Sequence, residues 1–199
     1  MGYFANAVAI LIEVVFGLAV FLFVLRVLLQ LVRANFHNPI CQLAYKATNP
    51  VLMPLRRVLK TVRNFDLAAA LVAYLLECIK VWLLAFLGYS RMFQFSGGVL
   101  LGPLSTLVLG IAALMEFLVW FYLIAILIRV ILSWVQTAGY NPAIPLLQQL
   151  TEPLLRPLRR RLPTPGGIDL SPLVVSVALL LVRALVVEPT QDFGWMLRM

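Results

Sequence analysis

NPVLMPLRRVL, residues 49–59, and EPLLRPLRRRL, residues 152–162, are the same segment written twice, 103 residues apart. The offset holds without insertion far beyond the segment. Glu13 meets Glu116, Arg26 meets Arg129, Asn38-Pro39 meets Asn141-Pro142, Thr48 meets Thr151, Asp66 meets Asp169 and Lys80 meets Arg183. Pro50 and Pro54 meet Pro153 and Pro157 in the same way. Across residues 26–67, 18 of 42 positions equal their partners. Apolar composition cannot produce this, because the best matches are prolines and polar residues. The chain is two copies of one unit.

Working outward, the segment sits among long apolar runs at about 4–32, 67–88, 105–135 and 170–188. Each reaches the roughly 20 helical residues needed to cross hydrocarbon. Composition agrees: of 199 residues, 63% are hydrophobic and 12% charged, whereas a soluble domain is about half apolar and a quarter charged. The expected fold is an all-α membrane protein with four transmembrane helices in two parallel helix–amphipathic segment–helix repeats. The first repeat spans 1–96 with its amphipathic segment at 38–64. The second spans 104–199 with its segment at 141–165, and 89–103 links them. The first apolar run lacks a positive leader and is too long for a signal peptide.

Ten lysines and arginines lie in the two connections that hold the duplicated segment; the middle link and the ends hold only Arg91 and Arg198. Basic loops stay cytoplasmic, so both termini are expected on the opposite side. The net charge of +8 then reflects membrane orientation rather than nucleic acid, for which no stacking pattern or fold appears.

After Pro50, apolar residues at 51, 52, 55, 58, 59 and 62 trace one helix face, with Arg56, Arg57, Lys60 and Arg63 on the other. Proline breaks helix interiors and is tolerated in first turns. The reading is therefore a helix at about 40–48, a break at residues 48–50, and a basic interfacial helix from about 52. Arg156, Arg159, Arg160 and Arg161 repeat it. This surface would anchor to anionic headgroups or bind lipid or a protein partner.

Charges inside the spans are costly and invite a functional reading. With Arg26 and Asp66 at one border, Glu13 lies 13 residues deeper on the first helix and Lys80 lies 14 deeper on the second. Both depths are about 20 Å. This predicts a ladder of Arg26–Asp66 and Glu13–Lys80, repeated as Arg129–Asp169 and Glu116–Arg183. Glu77, three residues before Lys80, is a local partner for it. Ala68, Ala69, Ala70, Ala73, Ser171 and Ser176 allow close helix packing inside the protomer. Cys41 and Cys78 read as free buried thiols. No catalytic motif is present, His37 lacks ligand neighbours, and no metal or cofactor is expected.

The paired strings RVLLQLVRANFHNP…LAYKATNPVLMPLRRVLK and RVILSWVQTAGYNP…LLQQLTEPLLRPLRRRLP resemble the YggT family of small bacterial inner-membrane proteins, in its two-repeat proteobacterial form. The resemblance implies an inner-membrane location and no established enzymatic activity. It also implies links to osmotic or envelope stress, to placement of cell-division components and, in plastids, to cytochrome assembly. The function expected is a non-enzymatic scaffold or assembly factor acting through the duplicated basic surface. Its partners would be anionic headgroups, a cytosolic or membrane protein, or a second copy. The alternative is an oligomeric ion or small-solute channel or transporter using the intramembrane charge pairs.

Overall fold

The computed structural model describes residues 3–57, 59, 64–88, 100–134, 141–161 and 169–197. The described residues form α1 (Tyr3–Leu31), α2 (Pro39–Leu55), α3 (Leu67–Phe86), α4 (Pro103–Trp134), α5 (Ala143–Arg159), α6 (Ser171–Val182) and α7 (Glu188–Met196). A π-helical turn at Arg183–Val187 joins α6 to α7 in one rod. Among the described residues, four helices are long and apolar enough to cross a membrane: α1, α3, α4 and the Ser171–Met196 rod. Leu11, Val14, Leu18, Ile124, Leu127 and Ile131 lie exposed along them, which only a lipid environment covers at this density. The protein is an all-α membrane protein of two repeats.

The last span runs eight residues past the expected end at 188. Glu188-Pro189 in a polar stretch looks like a terminator. Proline at 189 lacks the N–H that would bond Leu185, and the π-turn, closed by Glu188 N–H on the Arg183 carbonyl, absorbs the misfit instead.

A larger correction concerns the duplicated segment. The helix does not break at residues 48–50 and restart at 52. Helix α2 runs unbroken over Pro50 and Pro54 and stops at Leu55. Helix α5 does the same over Pro153 and Pro157, ending at Arg159. Pro54 and Pro157 therefore lie in last turns, not first, and Pro50 and Pro153 lie inside the helices one turn earlier. Side chains add bonds to the turn before each mid-helix proline. Thr48 Oγ1 donates to the Ala44 carbonyl at 2.7 Å, and Arg26 Nη1 reaches the Tyr45 carbonyl at 3.3 Å. Thr151 Oγ1 likewise donates to the Leu147 carbonyl at 2.7 Å. Lys60 and Arg63 lie outside the described residues.

Asn38 caps α2, its side chain accepting the Ile40 N–H at 2.9 Å, with Pro39 in the first turn. Asn38 Nδ2 also donates to the Pro142 carbonyl at 2.6 Å. The two Asn-Pro turns thus meet, tying the repeats together at one end. That basic end also holds the main core: Val20 to Leu29 of α1, Ala68, Ala69 and Ala73 of α3, and Leu146 and Leu150 of α5. The second repeat's connecting helix closes the first repeat's core. The small residues of α3 pack inside the protomer, as their size suggests.

Helix α1 ends in a Schellman turn, with Ala34 N–H on the Leu29 carbonyl and Arg33 N–H on that of Gln30. The left-handed position, φ 53°, is held by Arg33. An L-residue there costs about 1–2 kcal/mol. Arg33→Gly should raise the stability of the protein by about 1 kcal/mol and Arg33→Ala should not. Thermal unfolding in detergent reads the difference, and equal midpoints for the two variants would show that no strain is stored.

Candidate functional site

The end of α1 is enclosed on all sides, Phe23 to Leu29 being buried without a break, and this takes Arg26 inside with its side chain fully buried. A buried guanidinium survives only if its protons are matched. Arg26 Nε meets Asp66 Oδ2 at 3.3 Å, and Nη1 donates to Thr48 Oγ1 at 2.6 Å and Asn49 Oδ1 at 2.8 Å. The Tyr45 ring lies 4.3 Å below the guanidinium carbon. Asp66 is the N-cap of α3, accepting from Ala69 N–H at 3.2 Å, and Arg56 Nη2 binds the same oxygen as Arg26. One carboxylate therefore joins the ends of α1, α2 and α3.

The second repeat builds the cluster from the equivalent five positions, with one substitution. Arg129 donates to Thr151 Oγ1 at 2.7 Å and to Glu152 Oε2 at 3.0 Å, Glu152 standing where the first repeat has Asn49. Arg159 then reaches both Glu152, at 3.4 Å, and Asp169, at 2.9 Å. The expected Arg129–Asp169 pair is not formed. A relay Arg129–Glu152–Arg159–Asp169 replaces it, because Glu152 offers Arg129 a nearer carboxylate. Burial works to raise the Asp169 acid, but hydrogen bonds from Ser171 and Arg159 outweigh it and hold it below the usual carboxylate range. A depressed carboxylate stabilises the fold fully above about pH 4 and loses that contribution as pH falls through its folded value.

Deeper in the bundle, Arg183 Nε meets Glu116 Oε1 at 2.9 Å, the expected rung of the second hairpin, and its Nη1 holds Glu188 at 2.9 Å. Lys80 Nζ lies 2.6 Å from Glu77 Oε2 on its own helix. That is ion-pair contact without hydrogen-bond alignment, and Glu77 Oε1 has no partner among the described residues. Glu13 is also engaged in an interaction of its own.

Arg56 and Arg159, expected on a lipid-facing helix surface, are instead half-buried members of the clusters. Arg57, Arg156, Arg160 and Arg161 are exposed at the ends of α2 and α5. Asn49 and Glu152 were not among the residues expected at a site. The signal that points to them is their position: each follows the repeated threonine, seven residues or about two turns before an arginine that has to be neutralised.

Beside each cluster a cleft opens, of about 470 Å³ in the first repeat and about 530 Å³ in the second. The linings correspond at the repeat offset: Leu29 and Leu132, Gln30 and Ser133, Tyr45 and Gln148, Arg56 and Arg159. Cys41 and Cys78 are both free and buried.

A family model described as CCB3/YggT matches residues 5–87 and again 108–190, so the two matches themselves stand 103 residues apart. The chain is 40% identical to a Vibrio alginolyticus protein described as encoded in the proC 3' region, over 87% of this chain and 90% of that one. It is 39% identical to an uncharacterized Pseudomonas aeruginosa protein, over 92% of this chain and 90% of the relative. To YggT of Escherichia coli K12 it is 35% identical, over 96% and 95%. No solved structure matches it. A match to both repeats, and relatives this similar along nearly their whole length, mean that the chain belongs to the CCB3/YggT family.

Proposed function

We propose that the protein is a non-catalytic scaffold or assembly factor of the bacterial inner membrane, serving envelope or osmotic-stress responses through a duplicated basic surface on the cytoplasmic side. The carrying observation is that α2 and α5 are each locked to their spans by an arginine cluster, buried in the first repeat and partly exposed in the second, while Arg57, Arg156, Arg160 and Arg161 remain exposed at the helix ends. A rigid mount under free arginines suits docking of an acidic protein surface. The ten-to-two excess of basic residues supports placing this end in the cytoplasm and both termini in the periplasm.

Replacing Arg57, Arg156, Arg160 and Arg161 together by glutamine leaves the clusters intact. Pull-down in mild detergent should then lose proteins that the wild type captures. An unchanged set of captured proteins would remove the reading's support.

The channel or transporter reading draws on the Glu116–Arg183 pair and the Glu77 carboxylate, fully buried among apolar spans. Ion flux in proteoliposomes that vanishes in a Glu13→Gln/Glu116→Gln variant would favour it over the scaffold.

A further inference from the structure

The two clusters are alike in shape and unlike in charge. In the second repeat, two guanidiniums face two carboxylates: Arg129 and Arg159 with Glu152 and Asp169. In the first, Arg26 and Arg56 share the single carboxylate of Asp66, because neutral Asn49 replaces the glutamate. One positive charge is left over at a place where Arg26 is fully buried. Two nitrogens there, Arg26 Nη2 and Arg56 Nε, are buried and have no hydrogen-bond partner among the described residues. A second cation stands close by. Arg33 lines the same cleft as Arg56, while the equivalent position in the second repeat is Gln136.

We propose that the first cleft is a binding site for a phosphate-type anion and that the second, which supplies its own counter-charge, is not. Arg33 and Arg56 provide the charge, and Gln30 and Asn64, which also line the cleft, provide neutral donors. An anion in the cleft gains Coulomb attraction from the uncompensated charge and meets Arg56, which lines it, while Arg26, fully buried and outside the lining, contributes charge alone. The cleft's place favours a phospholipid headgroup over free phosphate. It opens at the last turn of a membrane span, where headgroup phosphates lie, and Leu29 and Phe36 give it an apolar wall suited to the first carbons of a lipid. The site uses none of the four exposed arginines assigned to scaffold docking and stands or falls apart from them.

The reciprocal exchange of residues 49 and 152 tests this directly. Purified full-length protein in dodecylmaltoside micelles is titrated with phosphatidylglycerol, phosphatidylcholine and inorganic phosphate, with binding read by native mass spectrometry. The wild type should hold phosphatidylglycerol in preference to phosphatidylcholine. Asn49→Glu gives the first repeat the second's internal counter-charge and should weaken that binding about tenfold, the equivalent of one charged hydrogen bond. Glu152→Asn should strengthen anion retention. Arg33→Gln touches no cluster bond and should also weaken binding, so it decides the matter if Asn49→Glu folds poorly. Inorganic phosphate that binds and displaces the lipid would identify free phosphate as the anion. Phosphatidylglycerol affinity unchanged in both Asn49→Glu and Arg33→Gln, or a wild type that retains neither anion above phosphatidylcholine, would overturn the proposal.

Discussion

Asp66→Ala should prevent the protein from accumulating in folded form, whereas Asp169→Ala, the same change one repeat later, should be tolerated. The Asp66 side chain is 1% exposed and that of Asp169 is 36% exposed. Removing Asp66 strands a fully buried Arg26 and a half-buried Arg56, and breaking a buried pair costs about 3–5 kcal/mol. It also uncaps α3, where Asp66 accepts the Ala69 N–H, for about 1 kcal/mol more. That sum is comparable with the whole stability of many domains, about 5–15 kcal/mol. Removing Asp169 leaves Arg159 still paired with Glu152, and an exposed pair contributes at most about 1 kcal/mol. Expression yield and thermal unfolding in detergent read both variants. Asp66→Asn, which keeps an acceptor for the cap, should fall between them. Equal losses for Asp66→Ala and Asp169→Ala would mean that the shared carboxylate is not what closes the first repeat.

The second large effect belongs to the seam between the repeats, where α3 packs on α4. Gly110 is the contact point. A Cβ there would overlap Cys78 Sγ, and would stand 3.3 Å from Cys78 Cα and 3.3 Å from the Tyr74 ring. Tyr74 Oη donates to the Leu107 carbonyl at 3.0 Å, pinning the two helices one turn away. The cysteine side chain is too short to swing clear, so α4 has to move. Gly110→Ala should cost about 1–3 kcal/mol and Gly110→Leu more, a drop of several degrees in the unfolding midpoint. Cys78→Ala in the Gly110→Ala background should recover most of the loss, because it removes the overlapping atom and leaves only the 3.3 Å contacts. A double variant as unstable as the sum of the singles would show that the two positions are not in contact.

The legible parts of the molecule were those in which polar residues stand against an apolar background. Arg26, Thr48, Asp66 and their twins recur at one offset among residues that vary freely, and charge inside a span demands a partner. That is why the Arg26–Asp66 and Glu116–Arg183 contacts could be expected from position alone. Helix continuity across Pro50 and Pro54 was not legible. Proline's missing N–H is written in the sequence, but the bond from Arg26 to the Tyr45 carbonyl, in the turn before Pro50, exists only once α1 and α2 meet. The Arg129–Asp169 pair was expected by copying the first repeat onto the second, and a single change at the position after the threonine redirected Arg129. The basic surface was overcounted for a related reason: periodicity put Arg56 and Arg159 with their exposed neighbours, while the aspartates before α3 and α6 draw them inward.

The π-turn has a bearing on how the last span keeps its seat. Among its buried and half-buried positions, Ser171, Val175, Leu179, Arg183, Val187 and Gln191 recur at every fourth residue. On an uninterrupted α-helix, at about 100° per residue, such a stride would wind around the rod by about 40° per step. Over five steps the stripe would have rotated more than halfway round, leaving the outer half of the helix turned toward lipid. The wider turn at Arg183–Val187 takes back part of that rotation, so α6, the turn and α7 all remain against α4. The same local unwinding that accommodates Pro189 therefore acts as a phase correction. It lets Ser105 of α4 reach the Gly194 carbonyl at 2.7 Å, near the far end of the bundle from the arginine clusters.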